Sequence, residues 1–225
     1  MTSAPKDQAP SSLRLVLTLA VAGLLSGIAI IGIYESTLPT ITANKARELR
    51  EAVFKVLPGV TQMQALVYRN DELVVVPEPG KDEPVVYGGY DDQGQFMGYA
   101  VPAAGPGFQD TIALLYGYKP GEQIVVGMEV LESRETPGLG DKIYKDMDFV
   151  GEFKALVIEP EIVAVKKGTK TSNNQVDAIT GATISSKAIV RIINEAHASW
   201  SGQLPSPGSE PALEQQEPAD SEAGQ

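Results

Sequence analysis

From Leu15 to Tyr34 the chain runs for twenty residues without a charge. At about 1.5 Å of rise per residue such a run spans a hydrocarbon layer of about 30 Å, so the pattern predicts a transmembrane helix. A secretory signal carries an apolar region of roughly 7 to 15 residues and a small-x-small cleavage site; this run is longer and no Ala-x-Ala follows it. Further on, Ile41, Leu49, Val53, Val56 and Leu57 fall on one helical stripe that Pro58-Gly59 ends. That stripe predicts an amphipathic helix over 40–57, entered from the membrane helix through 37–40. After Gly59 the period changes to short β-rich runs at 65–68, 73–76, 85–90, 96–101, 112–118, 124–131, 156–158 and 162–165. Arg69-Asn70-Asp71, Asp92-Gln93-Gly94 and Lys119-Pro120-Gly121-Glu122 separate several of them as hairpin breaks. Near the end Ile189, Ile192, Ile193, Ala196 and Trp200 recur at helical spacing, predicting a helix from about Ser185. The fold class is α+β: one N-terminal transmembrane helix, then a mainly antiparallel sheet with flanking helices.

Composition narrows what such a chain does. With 225 residues and 43% apolar content there is room for one domain with a real core plus appendages. The net charge is −11, but Glu210, Glu214, Glu217, Asp220 and Glu222 lie in 202–225 with no Lys or Arg, so −5 of it sits in a tail. That Pro, Ser, Glu and Gln-rich stretch buries too little apolar surface to offset ordering, so 201–225 reads as a disordered acidic tail. An acidic chain without a basic, aromatic-interleaved patch is not a nucleic-acid binder. There is no cysteine and one histidine, which excludes disulfides and protein-bound iron–sulfur clusters and disfavours zinc or haem. Redox chemistry here requires an organic cofactor. His197 falls on the C-terminal helix and is expected at its surface. Lys6 and Arg14 precede the span while Lys45, Arg47 and Arg50 follow it. Arg14 abuts the span and Lys45 does not, which leans toward residues 1–14 inside and the domain at 35–200 outside.

Two motifs carry chemistry. Asp177-Ala178-Ile179-Thr180-Gly181-Ala182-Thr183-Ile184-Ser185-Ser186 sets hydroxyls and a glycine before the predicted helix, whose free N–H groups favour an anion. A phosphate on Thr183 would meet close backbone at Gly181 and hydroxyl donors from Thr180 and Ser185. Locally the same residues also suit an N-cap at Ser185 or Ser186 after a Thr-Gly turn. Upstream, Glu135-Thr136-Pro137-Gly138-Leu139-Gly140-Asp141-Lys142 places Pro-Gly at the centre of a type II turn, with Gly140 permitting a second unusual angle. Such a loop can lie against a flat ring with Glu135, Thr136 and Lys142 as polar contacts; it is equally a plain connection between strands.

In tandem behind a membrane anchor, Glu-Thr-Pro-Gly-Leu-Gly-Asp-Lys-Ile at 135–143 and Asp-Ala-Ile-Thr-Gly-Ala-Thr-Ile-Ser at 177–185 resemble the G subunit of the Rnf ion-translocating electron-transport complex. The resemblance runs from about residue 10 to 200. It implies FMN esterified through its phosphate to Thr183, one per chain, with Thr180, Gly181, Ala182, Ser185, Glu135, Thr136, Gly138, Leu139, Gly140 and Lys142 around it. It also implies an inner-membrane, single-pass protein with its domain on the periplasmic side. Its role would be to relay electrons in a complex that couples ferredoxin/NAD electron transfer to Na⁺ or H⁺ transport. The partners are then other membrane and peripheral subunits, the lipid bilayer, and a flavin transferase, because a threonine hydroxyl without an adjacent base is a poor nucleophile. No turnover is expected of the chain alone. Where many relatives have His two residues before the glutamate, this chain has Ser133, so no histidine role carries over. The C subunit of the Na⁺-translocating NADH:quinone reductase shares the flavinylation motif and stands as an alternative. So do a stand-alone flavin carrier or sensor and a colourless anchored scaffold.

Overall fold

The computed structural model describes residues 11–80 and 83–214. Most of the expected N-terminal segment and the last part of the acidic tail lie outside that range. The chain divides near Arg47 into two compact units.

The first unit is formed by helix α1, which spans Ser12–Val56 and ends in the second unit. It is long and apolar enough to cross a membrane, and Leu15, Leu24, Ile30 and Ile33 on it are all more than half exposed. The expected division into two helices at 37–40 is not found: α1 continues through Pro39. Proline removes one donor from the helical ladder. In the turns around it the Thr37 hydroxyl donates to Ile33 O at 2.9 Å and the Thr42 hydroxyl to Leu38 O at 3.0 Å.

The second unit is built on a seven-stranded antiparallel sheet in the order β2-β1-β3-β4-β5-β6-β7. Its strands are β1 (Gln62–Arg69), β2 (Glu72–Val76), β3 (Val85–Tyr90), β4 (Phe96–Pro106), β5 (Thr111–Lys119), β6 (Ile124–Glu132) and β7 (Leu156–Val157). The breaks read from sequence are turns, with Asn70 and Asp71 at φ 53° and 65° between β1 and β2 and Gly94 at φ 78° before β4. Side-chain alternation sends the two faces to different cores. Ala100, Leu115 and Val126 meet Ala52, Val53, Val56 and Leu57 at the end of α1. Val101, Leu114 and Tyr116 face Ile189, Ile192 and Ile193 of helix α4 (Thr183–Trp200). Each such fully buried aliphatic side chain contributes about 1.5–3 kcal/mol by leaving water, so α4 is held by its whole apolar stripe.

Short helices α2 (Lys142–Lys145) and α3 (Met147–Gly151) and a 3-10 turn (Glu152–Ala155) precede β7. They are too brief to show a helical period in sequence. The Asp146 carboxylate caps α3 by accepting from Asp148 N and Phe149 N. A second, parallel pair joins β8 (Val163–Lys166) to β9 (Gln175–Ala178); β9 has too few apolar residues to be seen in advance.

Two further expectations are corrected. His197 is 6% exposed, because its ring packs edge-on to Tyr118 at 4.7 Å and Nε2 lies 3.1 Å from Glu159 Oε1. Residues 201–214 are not free of the domain: Leu204 packs against the core and residues 211–214 lie along β1. The Gln64 side chain donates to Ala212 O at 3.0 Å and accepts from Glu214 N at 3.0 Å, and the Tyr90 hydroxyl donates to Pro211 O at 2.7 Å. Burial, with the nearby Glu210 charge, pushes the Tyr90 phenol up to about 12 despite the opposing Gln64 hydrogen bond. A proline-rich segment without its own apolar stripe is thus held by side-chain amides and hydroxyls instead. Gln64→Ala is expected to release it, seen as faster limited proteolysis between Leu204 and Glu214 with the domain core uncut.

Candidate functional site

Two loops and the first turn of α4 meet at one carboxylate. Glu135, at the head of the loop after β6, is 5% exposed. Its Oε1 accepts from Phe108 N at 2.8 Å and Gln109 N at 2.9 Å, in the tip between β4 and β5. Its Oε2 accepts from the Ser185 hydroxyl at 2.5 Å, in the first turn of α4. Burial acts to raise this carboxyl's pKa, but the Ser185 hydroxyl and the amides of Gln109, Phe108 and Asp110 outweigh it and leave Glu135 below the usual carboxylate range. Glu135 is therefore an ionised post that ties the loops together rather than an exposed polar contact.

The loop that carries it is shaped by its glycines. Leu139 N donates to Thr136 O at 3.1 Å with Gly138 at φ 79°, the expected type II turn around Pro137-Gly138. Gly140 has no unusual φ; it is needed for space, since a Cβ there would lie 2.4 Å from Glu135 Oε2 and 3.0 Å from Ser185 Oγ. Gly107 shows the same on the other side, with a Cβ 2.5 Å from Glu135 Oε1. Gly140→Ala is accordingly expected to destabilise the domain by about 1–3 kcal/mol, measured as a shift in denaturant midpoint without a change of slope. The Thr136 hydroxyl donates to Gln109 Oε1 at 2.7 Å, adding a second tie to the β4–β5 tip. Ser133 Oγ accepts from Glu135 N at 3.3 Å.

At the loop's end the buried Asp141 carboxylate holds Lys145 at 2.6 Å through Oδ2, while Oδ1 finds no hydrogen-bond partner among the described residues. The Lys145 ammonium and then the Gly138 amide keep its pKa low. Lys142 is half-buried at the start of α2.

Helix α4 begins at Thr183, two residues before the expected Ser185. Ser186 is no N-cap: its Oγ accepts from Ile179 N at 3.0 Å and donates to Ala182 O at 2.9 Å. That pair of bonds closes the Thr180-Gly181-Ala182 loop, with Gly181 at φ 84°. Thr180 and Thr183 are exposed and Ala182 is buried. Thr183 Oγ1 has only a long contact to Ile179 O at 3.4 Å. Ser186 N to Ala182 O is the helix's opening bond, so the amides of Thr183, Ile184 and Ser185 lack intrahelical acceptors. Ser185 does not stand beside Thr183 as a donor; its hydroxyl proton is committed to Glu135.

The structure thus brings the two motifs together and adds the Gly107–Asp110 tip, which sequence reading passed over. The signal was present in the glycine- and proline-rich run Gly105-Pro106-Gly107-Phe108. Around the Glu135 post, Leu139 and Ile184 are 52% and 59% exposed. Exposed hydroxyl, free amides and uncovered apolar side chains together suit a ligand with an anionic end and a flat apolar body.

The family model for the FMN-binding domain matches residues 107–198, a span that opens at this tip and closes within α4. Here, then, is a chain with an N-terminal helix long and apolar enough to cross a membrane and an FMN-binding domain. Among curated proteins it is 34% identical to the G subunit of the ion-translocating oxidoreductase complex of Escherichia coli K12, over 70% of this chain and 76% of that one. It is 28% identical to the protein of the same name from Methanosarcina acetivorans, over 81% and 91% respectively. It is also 32% identical to the G subunit of the Na(+)-translocating ferredoxin:NAD(+) oxidoreductase complex of Acetobacterium woodii, over 62% and 68%. The chain belongs to the G-subunit family of ion-translocating oxidoreductase complexes. Its fold is that of the C subunit of the Na(+)-translocating NADH-quinone reductase from Parabacteroides distasonis, at TM-score 0.59, 20% identity and coverage of 74% and 97%. The corresponding Shewanella oneidensis protein superimposes at TM-score 0.54 with 20% identity over 68% and 91%.

Proposed function

We propose that this chain carries FMN covalently on Thr183 and relays electrons within a membrane complex that couples redox chemistry to ion transport. The observation that carries the reading is the exposed Thr183 hydroxyl, alone of the motif hydroxyls in lying at the free amides of α4 while the second motif packs behind it through Glu135. A phosphodiester on Thr183 Oγ1 would sit at the positive end of the helix dipole. Gly181 keeps side-chain bulk away from it. FMN, when bound, supplies one- and two-electron transfer; the chain's own residues bind it, orient it and shield one side of it.

α1 is the anchor in this reading, with the domain on the outer, periplasmic face of the inner membrane. Covalent attachment there prevents loss of a cofactor that is scarce outside the cell. Maturation needs a flavin transferase, because among the described residues no base lies within hydrogen-bonding distance of Thr183 Oγ1. The coupled reaction is electron transfer between ferredoxin and NAD, as the name of the Acetobacterium woodii relative states of that protein.

The direct test is mass spectrometry of the tryptic peptide 171–187 from membranes of cells that possess a flavin transferase. FMN on Thr183 is the expected result; an unmodified peptide from such cells overturns the reading. Purification alongside multi-spanning subunits supports the complex, and purification as a single intact flavoprotein would instead mark a stand-alone carrier.

A further inference from the structure

We infer that Phe108 is a third wall of the flavin site, an aromatic platform for the isoalloxazine ring; this rests on FMN being carried by Thr183. Of the five phenylalanines, Phe108 alone is exposed, at 65%. Leaving such a side chain in water forgoes about 1.5–3 kcal/mol of burial, so an uncovered phenylalanine at a fixed place invites a cover. Fixed it is: Phe108 N and Gln109 N both donate to Glu135, Gly107 N donates to Asp110 O at 2.8 Å, and Thr136 grips Gln109. The tip is a built element rather than a loose turn.

Its place decides the occupant. The Phe108 amide bonds one Glu135 oxygen, while the other oxygen bonds Ser185, next to Ile184, and abuts Gly140, next to Leu139. Three residues with exposed apolar side chains, one at the β4–β5 tip, one in the loop after β6 and one in the first turn of α4, therefore each lie at or next to a residue that meets a single buried carboxylate. Ile184 directly follows Thr183, so a ring tethered at Thr183 Oγ1 begins its course beside this cluster. A flat, largely apolar tricycle matches such a bed, and an aromatic side chain engages it by offset or edge-on contact at centroid distances of about 4.5–7 Å. The FMN-binding family match opens at residue 107, one position before this side chain.

Phe108→Trp tests the assignment by gain of signal, in the full-length flavinylated chain in detergent. An indole in contact with a flavin quenches its emission by electron donation to the excited ring. The variant is expected to lose most of its native flavin emission relative to wild type and to regain it on denaturation. Val74→Trp, an exposed position on the edge strand β2, three places from β4 in the sheet, is expected to leave emission unchanged. Phe108→Ala is expected to lower the flavin's fluorescence anisotropy while peptide 171–187 still carries FMN. Native Phe108→Trp emission equal to wild type, with FMN confirmed on that peptide, overturns the platform alone. A peptide without FMN in the wild type overturns the proposed function and the platform with it.

Discussion

Thr183→Val is expected to abolish flavin fluorescence at the protein's band on a denaturing gel while leaving the fold intact. Valine keeps the volume and shape of threonine and removes only the hydroxyl. Thr183 is exposed and its hydroxyl makes one long contact, 3.4 Å to Ile179 O, so its loss costs less than the roughly 1 kcal/mol of an ordinary hydrogen bond. The thermal midpoint should barely move. Thr183→Ser keeps the nucleophilic oxygen and is expected to retain fluorescence. Emission that survives in Thr183→Val would mean the attachment lies elsewhere, and Thr180, the other exposed hydroxyl of the motif, would be the next position to test.

Replacing Glu135 is expected to have the largest effect on stability in the domain outside its core. Glu135→Ala strands two amides and the Ser185 hydroxyl that now share one carboxylate, and it unties the β4–β5 tip, the loop after β6 and the start of α4. Three charge-assisted bonds in a buried setting put the loss on the order of 3 kcal/mol. Glu135→Gln, which retains one acceptor oxygen but loses the charge, should lose less. The pH dependence has a definite sign. The folded-state pKa of Glu135 is depressed below its ordinary value of 4.5, so the carboxylate's contribution is fully present above about pH 4.5. It declines as pH falls through the lower folded pKa. The difference in unfolding free energy between wild type and Glu135→Gln should be constant above that range and shrink below it. A difference that grows on acidification would show that Glu135 is protonated in the folded protein and that the post is misassigned.

Much of the architecture was legible because it rests on local periodicity. The charge-free run at 15–34, the short β-rich runs at 85–90 and 124–131, and the stripe from Ile189 to Trp200 each announce an element. The failures share a cause as well. β9 at 175–178 forms only because β8 lies beside it. α2 and α3 are little longer than one helical turn. His197 looked exposed because its helix is short of apolar residues there, yet Tyr118 from β5 and Glu159 from the loop after β7 close over it. Residues 211–214 lack a hydrophobic pattern and are held through Gln64 and Tyr90, more than a hundred positions upstream.

The site divides in the same way. The hydroxyl at Thr183 before a helical stripe, the turn at Pro137-Gly138 and the lack of cysteine and of a second histidine are properties of residue type and spacing, and the linear chain alone determined them. Which hydroxyl stays free was decided only by the fold: Ser185 and Ser186 are spent on Glu135 and on the Ile179–Ala182 loop, leaving Thr183 at the open end of α4. The fold also decided that Gly140 and Gly107 serve to admit a carboxylate, and that Glu135 is buried where it joins three segments. The physical reason is that hydrogen-bond satisfaction and close packing are settled between segments distant in sequence. A motif states which groups are available, and the tertiary structure assigns each of them its partner.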